Sequence, residues 1–534
     1  MSEPGTLLSC LERAAASGQG VRFLDRSEES LVLYRDVLER ARAVAGGLNA
    51  MGVEPGSRVA VAVPTGPEFY DAFFGVLAAG AAPISLPLPP RFGSRRGFND
   101  ELHASVNAAG ARMVLTDVAG RVRLPDLTVA ALGELPPAAP RLVDCEPDSL
   151  ALVQLSSGTT GLPKPIRLTH RQLLANVRAI RDRILECYPA ERGYEHGGVS
   201  WLPLYHDMGL VGAVLTALAH PAPLTLMKPE EFAARPARWL QAISRYRATI
   251  SAAPHFAYEL TVERVRDDEL RGVDLSSWLL ALDGAETVTA STLERFYRRF
   301  RAYGLRREAI TTVYGLAEAS LAVTFSDPDR SFSYRSFDSA ALVEKEEAIE
   351  TAGGVDIVSS GKPVPGVDVE IADENGERLP EGRVGRVLIR GPSVTSDGVD
   401  GDGFLDTGDR GFFRKEELYL CGRSRDLLIL RGRNYAPEMI EETVEGVSGL
   451  RAGAVAAVSL LGERGFGLCL LAERGFELAP EEEARAIDEI RARVVARCGV
   501  DPAVVLLDPG ALPRTSSGKI RRQEATRLCT GAVV

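Results

Sequence analysis

The chain has 534 residues, 45% of them hydrophobic and 25% charged, with a net charge of −11. That length allows two or more domains and the balance is that of an ordinary globular protein. The acidic total argues against nucleic acid as the main partner, and the most apolar run, residues 72–88, is interrupted by Pro83 and Pro87 and is too short to insert in a membrane.

In chain order, helical periodicity over 35–51 ends at Gly52, and 58–63 reads as a buried strand. A helix over 67–79, a strand over 82–86, a helix over 104–109 and a strand over 112–116 follow. This βαβ alternation predicts an α/β fold: parallel-type sheets covered by helices. Residues 124–148, rich in Pro and Ala, form a long link into an apolar run that enters Ser156-Ser157-Gly158-Thr159-Thr160-Gly161-Leu162-Pro163-Lys164. Strand, polar glycine loop and then helix is the arrangement that offers N–H groups to a phosphate. It is not a Walker A loop, because Pro163 and Pro165 flank Lys164 and no helix can open there. Only six of the 62 basic residues are lysine, which gives Lys164 and Lys519, both inside motifs, more weight.

Residues 199–210, 221–227, 248–254, 279–286 and 310–318 read as strand ends running into loops, where α/β sheets gather ligands. Residues 326–360 are polar and aperiodic, an inserted loop or hairpin. From 367 to 390 the pattern turns β-rich with turn signals, predicting an antiparallel or barrel-like subdomain. A compact α+β unit follows, with strands over 427–430 and 454–460 and helices over 437–444 and 481–498. The expected domains are 1–421, a hinge at 422–425, and a mobile 426–534. Seven cysteines lie scattered, with no CxxC pair and no nearby His at ligand spacing, which fits a reducing cytoplasm and gives no metal site. The N-terminus shows no charged leader before an apolar core, so no secretory leader is expected.

Five motifs in one order resemble the adenylate-forming superfamily: the 156–164 loop, Tyr314-Gly315-Leu316-Ala317-Glu318, Thr407-Gly408-Asp409, Gly422-Arg423, and Arg514-Thr515-Ser516-Ser517-Gly518-Lys519. Within it, Trp201-Leu202-Pro203-Leu204-Tyr205-His206-Asp207-Met208-Gly209-Leu210, residues 87–91 and residues 431–437 are most similar to fatty acyl-AMP ligases. The resemblance implies ATP-dependent activation of a carboxylic acid to an acyl-adenylate. Transfer to the phosphopantetheine thiol of an acyl carrier protein would follow. The alternatives are an acyl-CoA ligase or an adenylating enzyme for an amine-bearing acid.

Carried over position by position, Ser156, Ser157, Gly158, Thr159, Thr160, Gly161 and Lys164 would hold the β- and γ-phosphates, and Glu318 would ligate Mg²⁺. Gly284, Ala285, Glu286, Tyr314, Gly315 and Leu316 would border adenine; Asp409, assisted by Arg423, would accept the ribose hydroxyls. His206, Asp207, Met208 and Gly209 would line the acyl pocket, with His206 near the adenylate counted among the catalytic residues beside Glu318 and Lys519; Arg425 would be the hinge, and Lys519 would stabilise charge at the α-phosphate. The chain departs from the family pattern at Pro165, at Leu405-Asp406 and in the short segment 394–403. For an acidic carrier, Arg298-Arg299, Arg306-Arg307 and Arg521-Arg522 are the candidate basic patches.

Overall fold

The computed structural model describes the chain apart from residues 1–2, 26–27, 89–97, 119, 121, 123, 125, 142, 157–163, 424–425, 427, 431–432, 463–464, 476–477, 515–518 and 533–534. Two parallel-type sheets build the larger part. Arg58–Ala62 pairs in parallel with Ala82–Ser85 on one side and Met113–Thr116 on the other, and Thr128–Ala131 completes this four-stranded sheet. The helices Pro67–Ala78 and Phe98–Ala109 form the crossovers, as the alternation requires.

The second sheet has nine strands. Its centre, Ile310–Gly315, Leu280–Gly284, Ile250–Pro254, Gly198–Ser200, Leu224–Met227 and Gly20–Asp25, is parallel, and antiparallel strands close both edges. These central strands are apolar and buried, as expected for a sheet covered on both faces. An aromatic cluster packs beside them. Trp201 stacks on Phe232 at 3.8 Å between centroids, and Trp239 meets Trp278 edge-on at 5.1 Å while donating Nε1–H to Ser251 at 2.8 Å. The cluster anchors the start of the 201–210 motif.

Residues 326–360 contain the antiparallel pair Tyr334–Phe337 and Val355–Val358, so the hairpin reading holds. Beyond it Asp368–Ala372, Gly385–Arg390, Leu405–Arg414 and Glu417–Arg423 form a four-stranded antiparallel meander. The C-terminal part contains a three-stranded sheet, Leu450–Gly462, Gly465–Arg474 and Ala503–Leu507, packed against the helices Pro480–Cys498 and Arg522–Ala532. Among the described residues no helix is long and apolar enough to cross a membrane.

As the prolines flanking Lys164 require, the 156–164 loop does not lead directly into a helix. It joins the antiparallel strands Leu150–Ser156 and Lys164–Thr169, and the helix His170–Cys187 starts only afterwards, capped by Thr169. Pro165 explains this, because a residue preceding proline is driven to extended backbone. The segment after His206 is not a loop: Met208–Leu215 is a π-helix. Finally, the cysteines are not all unpaired. Cys469 on the 465–474 strand and Cys529 on the C-terminal helix form a disulfide with a Cα–Cα distance of 6.6 Å. They are 60 residues apart and meet only because that helix packs on the sheet face.

Trp239 is fully buried and touches four other rings. Trp239→Ala is expected to lower unfolding free energy by about 3–5 kcal/mol in chemical denaturation; a loss under about 1 kcal/mol would show that the cluster is not structural.

Candidate active site

The site forms where strand ends of the nine-stranded sheet meet the meander and the C-terminal part. From Gly198–Ser200 the chain passes buried Trp201 and turns, with His206 N–H donating to Pro203 O at 3.2 Å. Asp207 then caps the π-helix, its Oδ1 accepting from Met208 N–H at 2.7 Å and lying 2.7 Å from His206 Nδ1. Burial pushes the Asp207 carboxyl up, but the His206 ring, the Lys519 ammonium and the Met208 N–H together hold it below the usual range. Gly209 permits this turn: a Cβ there would lie 2.4 Å from Pro203 O.

The nucleotide side is built by cross-strand pairing. Asp409 and Arg423 are register partners in the meander, and Arg423 Nε donates to Asp409 Oδ1 at 3.1 Å. Tyr314, at the end of Ile310–Gly315, donates its hydroxyl to Asp409 Oδ2 at 2.6 Å. Burial, then Asp409, raises the Tyr314 phenol well above its ordinary value, so it stays a donor. A carboxylate offers about four lone-pair sites, so both Asp409 oxygens keep acceptor capacity for hydroxyls of a ribose. Opposite, Ala285 follows Leu280–Gly284 with a φ of 67°, a left-handed conformation that costs a non-glycine residue about 1–2 kcal/mol. This kink turns the chain at the strand end into Glu286, whose carboxylate accepts from Phe256 N–H at 3.0 Å. Burial raises the Glu286 pKa against the pull of that N–H, His255 and Lys519.

Lys519 comes into this enclosure from the C-terminal part. Arg514 forms an antiparallel bridge with Ile520, the neighbour of Lys519. Its pKa is lowered, first by burial and then by Arg423, while Asp207, Glu286 and Asp409 act in the other direction. Lys519 lines two cavities at once, of about 1970 Å³ and about 810 Å³. The larger lies between the C-terminal part and the sheet end. The smaller extends from Tyr314, Gly315, Leu316 and Glu318, with Lys164, His206, Asp207 and Met208 on its wall, to the apolar faces of two helices. Ile180 and Ile184 line it from one helix, Gly212, Ala213 and Thr216 from the other, and Ile250 from the sheet. The small residues of the π-helix leave room for an extended apolar chain, and Lys519 stands at the polar end.

Most of the expected residues therefore converge. Glu318 sits in the short turn Ala317–Ala319, its backbone oxygen accepting from Thr395 N–H at 2.7 Å. Gly284 and Gly209 line neither cavity and serve close backbone packing instead; a Cβ on Gly284 would lie 2.5 Å from Val313 O. Ser157, Gly158, Thr159, Thr160, Gly161 and Arg425 lie outside the described residues, as does the Ser156 side chain. The expected basic patches are corrected. Arg299 pairs with Asp267 and Arg307 with Glu294, and Arg522 is held between Glu438 and Glu441, whereas Arg298 and Arg306 stay exposed.

Sequence reasoning missed His255 and Asp283, 2.7 Å apart and buried beside Glu286. Burial opposes the His255 charge, but Asp283 outweighs it and raises the pKa to about 8. No local pattern marks this pair, because it joins two strand ends 28 residues apart.

Comparison with known proteins agrees with this geometry. The AMP-binding enzyme family matches residues 11–397. The chain is 32% identical to the medium-chain-fatty-acid acyl-carrier-protein ligase JamA of Moorena producens, covering 98% of this chain and 95% of that one. It is 33% identical to the long-chain-fatty-acid AMP ligase FadD23 of Mycobacterium tuberculosis, over 99% and 96%. A structure from studies of the fatty acyl-adenylate ligases of E. coli and L. pneumophila superposes with a TM-score of 0.91 at 34% identity, covering 99% of this chain and 98% of that one. The chain belongs to the AMP-binding, adenylate-forming enzyme superfamily, among relatives that are fatty acyl-AMP ligases.

Proposed function

We propose that this enzyme activates a fatty or related carboxylic acid with ATP to an acyl-adenylate, releasing pyrophosphate, and then passes the acyl group to the phosphopantetheine thiol of an acyl carrier protein. The observation that supports this best is the position of Lys519, beside the Asp409–Tyr314–Arg423 cluster on a cavity that extends between apolar side chains of two helices and the sheet. An acid lying in the smaller cavity would direct its carboxylate toward Lys519, and a nucleoside on Asp409 would present its α-phosphate there. The carboxylate oxygen attacks phosphorus and the bond to pyrophosphate breaks. Negative charge passes through the crowded phosphate, and a fixed ammonium stabilises it most where it is densest.

Glu318, a carboxylate on the cavity wall, suits Mg²⁺. Mg²⁺ of this kind is commonly held by one or two carboxylates together with substrate phosphates. Bound there, it would neutralise phosphate charge. Lys164, at the start of the second strand of the loop hairpin, faces the same cavity, where a phosphate would lie.

Two domains, 1–421 and 426–534, meeting at 422–425 around Arg425, would alternate. Lys519 would withdraw after the first step, and the larger cavity would admit the thiol. The thiol sulfur then bonds to the acyl carbon, AMP departs, and the thiol proton leaves to solvent. The carrier protein is the favoured acceptor because JamA, a relative over nearly the whole chain, is a carrier-protein ligase.

Lys519→Ala is expected to lower ATP–pyrophosphate exchange by about 10²–10³-fold with little change in the KM for the acid. Because burial and Arg423 lower the Lys519 pKa, its charge is lost on raising pH sooner than for an ordinary lysine, and exchange falls with it. Lys519→Arg is expected to remove that alkaline decline; a decline of equal midpoint in this variant would assign it to another group. With ATP and acid supplied, thioester is expected to form faster on a holo-acyl carrier protein than on CoA. Faster acyl-CoA formation would assign the acceptor to CoA.

A further inference from the structure

The C-terminal part touches the rest of the chain at a second point on the larger cavity. The loop after the Glu442–Val444 turn brings Glu445 onto the N-terminus of the helix Ala290–Phe300. Its Oε2 accepts from Ser291 Oγ at 3.0 Å, and its Oε1 accepts from Thr292 Oγ1 and from Arg295 Nη2, both at 3.4 Å. The same Arg295 Nη2 donates to Glu259 Oε1 at 2.9 Å. A helix N-terminus, two hydroxyls and a guanidinium all favour a carboxylate at this place.

The contact connects mechanically to the catalytic lysine. Gly453 packs on Glu259 so closely that a Cβ would lie 2.5 Å from its Oε2. The Gly453 carbonyl accepts from Arg514 Nη2 at 2.6 Å, and Arg514 pairs with Ile520, the neighbour of Lys519. The C-terminal part is thereby held at two places, Lys519 in the site and Glu445 on the helix. The Glu259–Arg295 pair lies wholly on the larger side. If the C-terminal part rotates away, Arg295 keeps Glu259 and only its interaction with Glu445 breaks. With the two parts together both carboxylates are largely buried, Glu259 at 6% and the Glu445 side chain at 22% exposed, and Glu445 is the one that the C-terminal part carries away. The bridge is thus built to break at one end.

We propose that Arg295, held by Glu259 and bridging to Glu445, is a positioning residue that keeps Lys519 in place for adenylation and is released at Glu445 for thiol transfer. This rests on the alternation described above. The test measures the two half-reactions separately: ATP–pyrophosphate exchange with a fatty acid, and single-turnover transfer from purified acyl-AMP to holo-acyl carrier protein. Glu445→Gln keeps the shape and removes the charge, and is expected to lower exchange by about tenfold while transfer is as fast as wild type or faster. Glu445→Lys, facing Arg295, is expected to lower exchange further, again without slowing transfer. A merely structural contact would depress both half-reactions together. Exchange within about twofold of wild type in both variants, or transfer falling in parallel, would overturn the proposal. Lys519→Ala, run alongside, separates the two readings: if it exchanges as fast as wild type, the bridge has nothing to position and both readings fall. If it alone loses exchange, the bridge alone is wrong.

Discussion

Lys519 lies where three carboxylates, Asp207, Glu286 and Asp409, oppose the burial of its charge and the repulsion of Arg423. Each comes from a different stretch of chain: the cap of a π-helix, the kink after a central strand, and an antiparallel meander. Desolvating an ammonium is unfavourable unless opposite charges stand close by. These elements must therefore assemble before the lysine can occupy its place. The carboxylates offset the burial and the repulsion only in part, since the net effect still lowers the Lys519 pKa.

The same constraint accounts for the two cavities that meet at Lys519. One has apolar helix and sheet walls, with the small side chains of Gly212 and Ala213 making room. The other lies between the C-terminal part and the sheet end, with His255 on its wall and Asp283 buried behind it. In the proposed function an acid and a nucleotide would meet at the lysine, and a thiol would arrive from the other side. The superfamily to which the chain belongs performs acid activation, and the geometry shows how this sequence could do so.

Much of this was legible in the residues. The βαβ elements, the antiparallel subdomain and the C-terminal α+β unit stand where periodicity placed them, and Asp409, Tyr314, Glu318 and Lys519 come together around the two cavities. What was not legible depends on contacts distant in sequence or on local competition. The π-helix is invisible to a 3.6-residue period, since its apolar residues also suit a loop beside a sheet. Cys469 and Cys529, His255 and Asp283, and Arg295 and Glu445 become partners only when separate elements pack. Arg522 looked like part of a basic surface because nothing adjacent reveals that Glu438 and Glu441, more than 80 residues earlier, enclose it.

The central claim is that the enclosure around Lys519 joins a carboxylic acid to AMP. Mass spectrometry of the products formed by the full chain with ATP, Mg²⁺ and a mixed library of fatty and aryl acids tests it most directly. The account predicts acyl-adenylates of apolar, extended acids together with an equal amount of pyrophosphate. ATP binding without an adenylate of any acid, or ATP cleavage to ADP and phosphate, would contradict it.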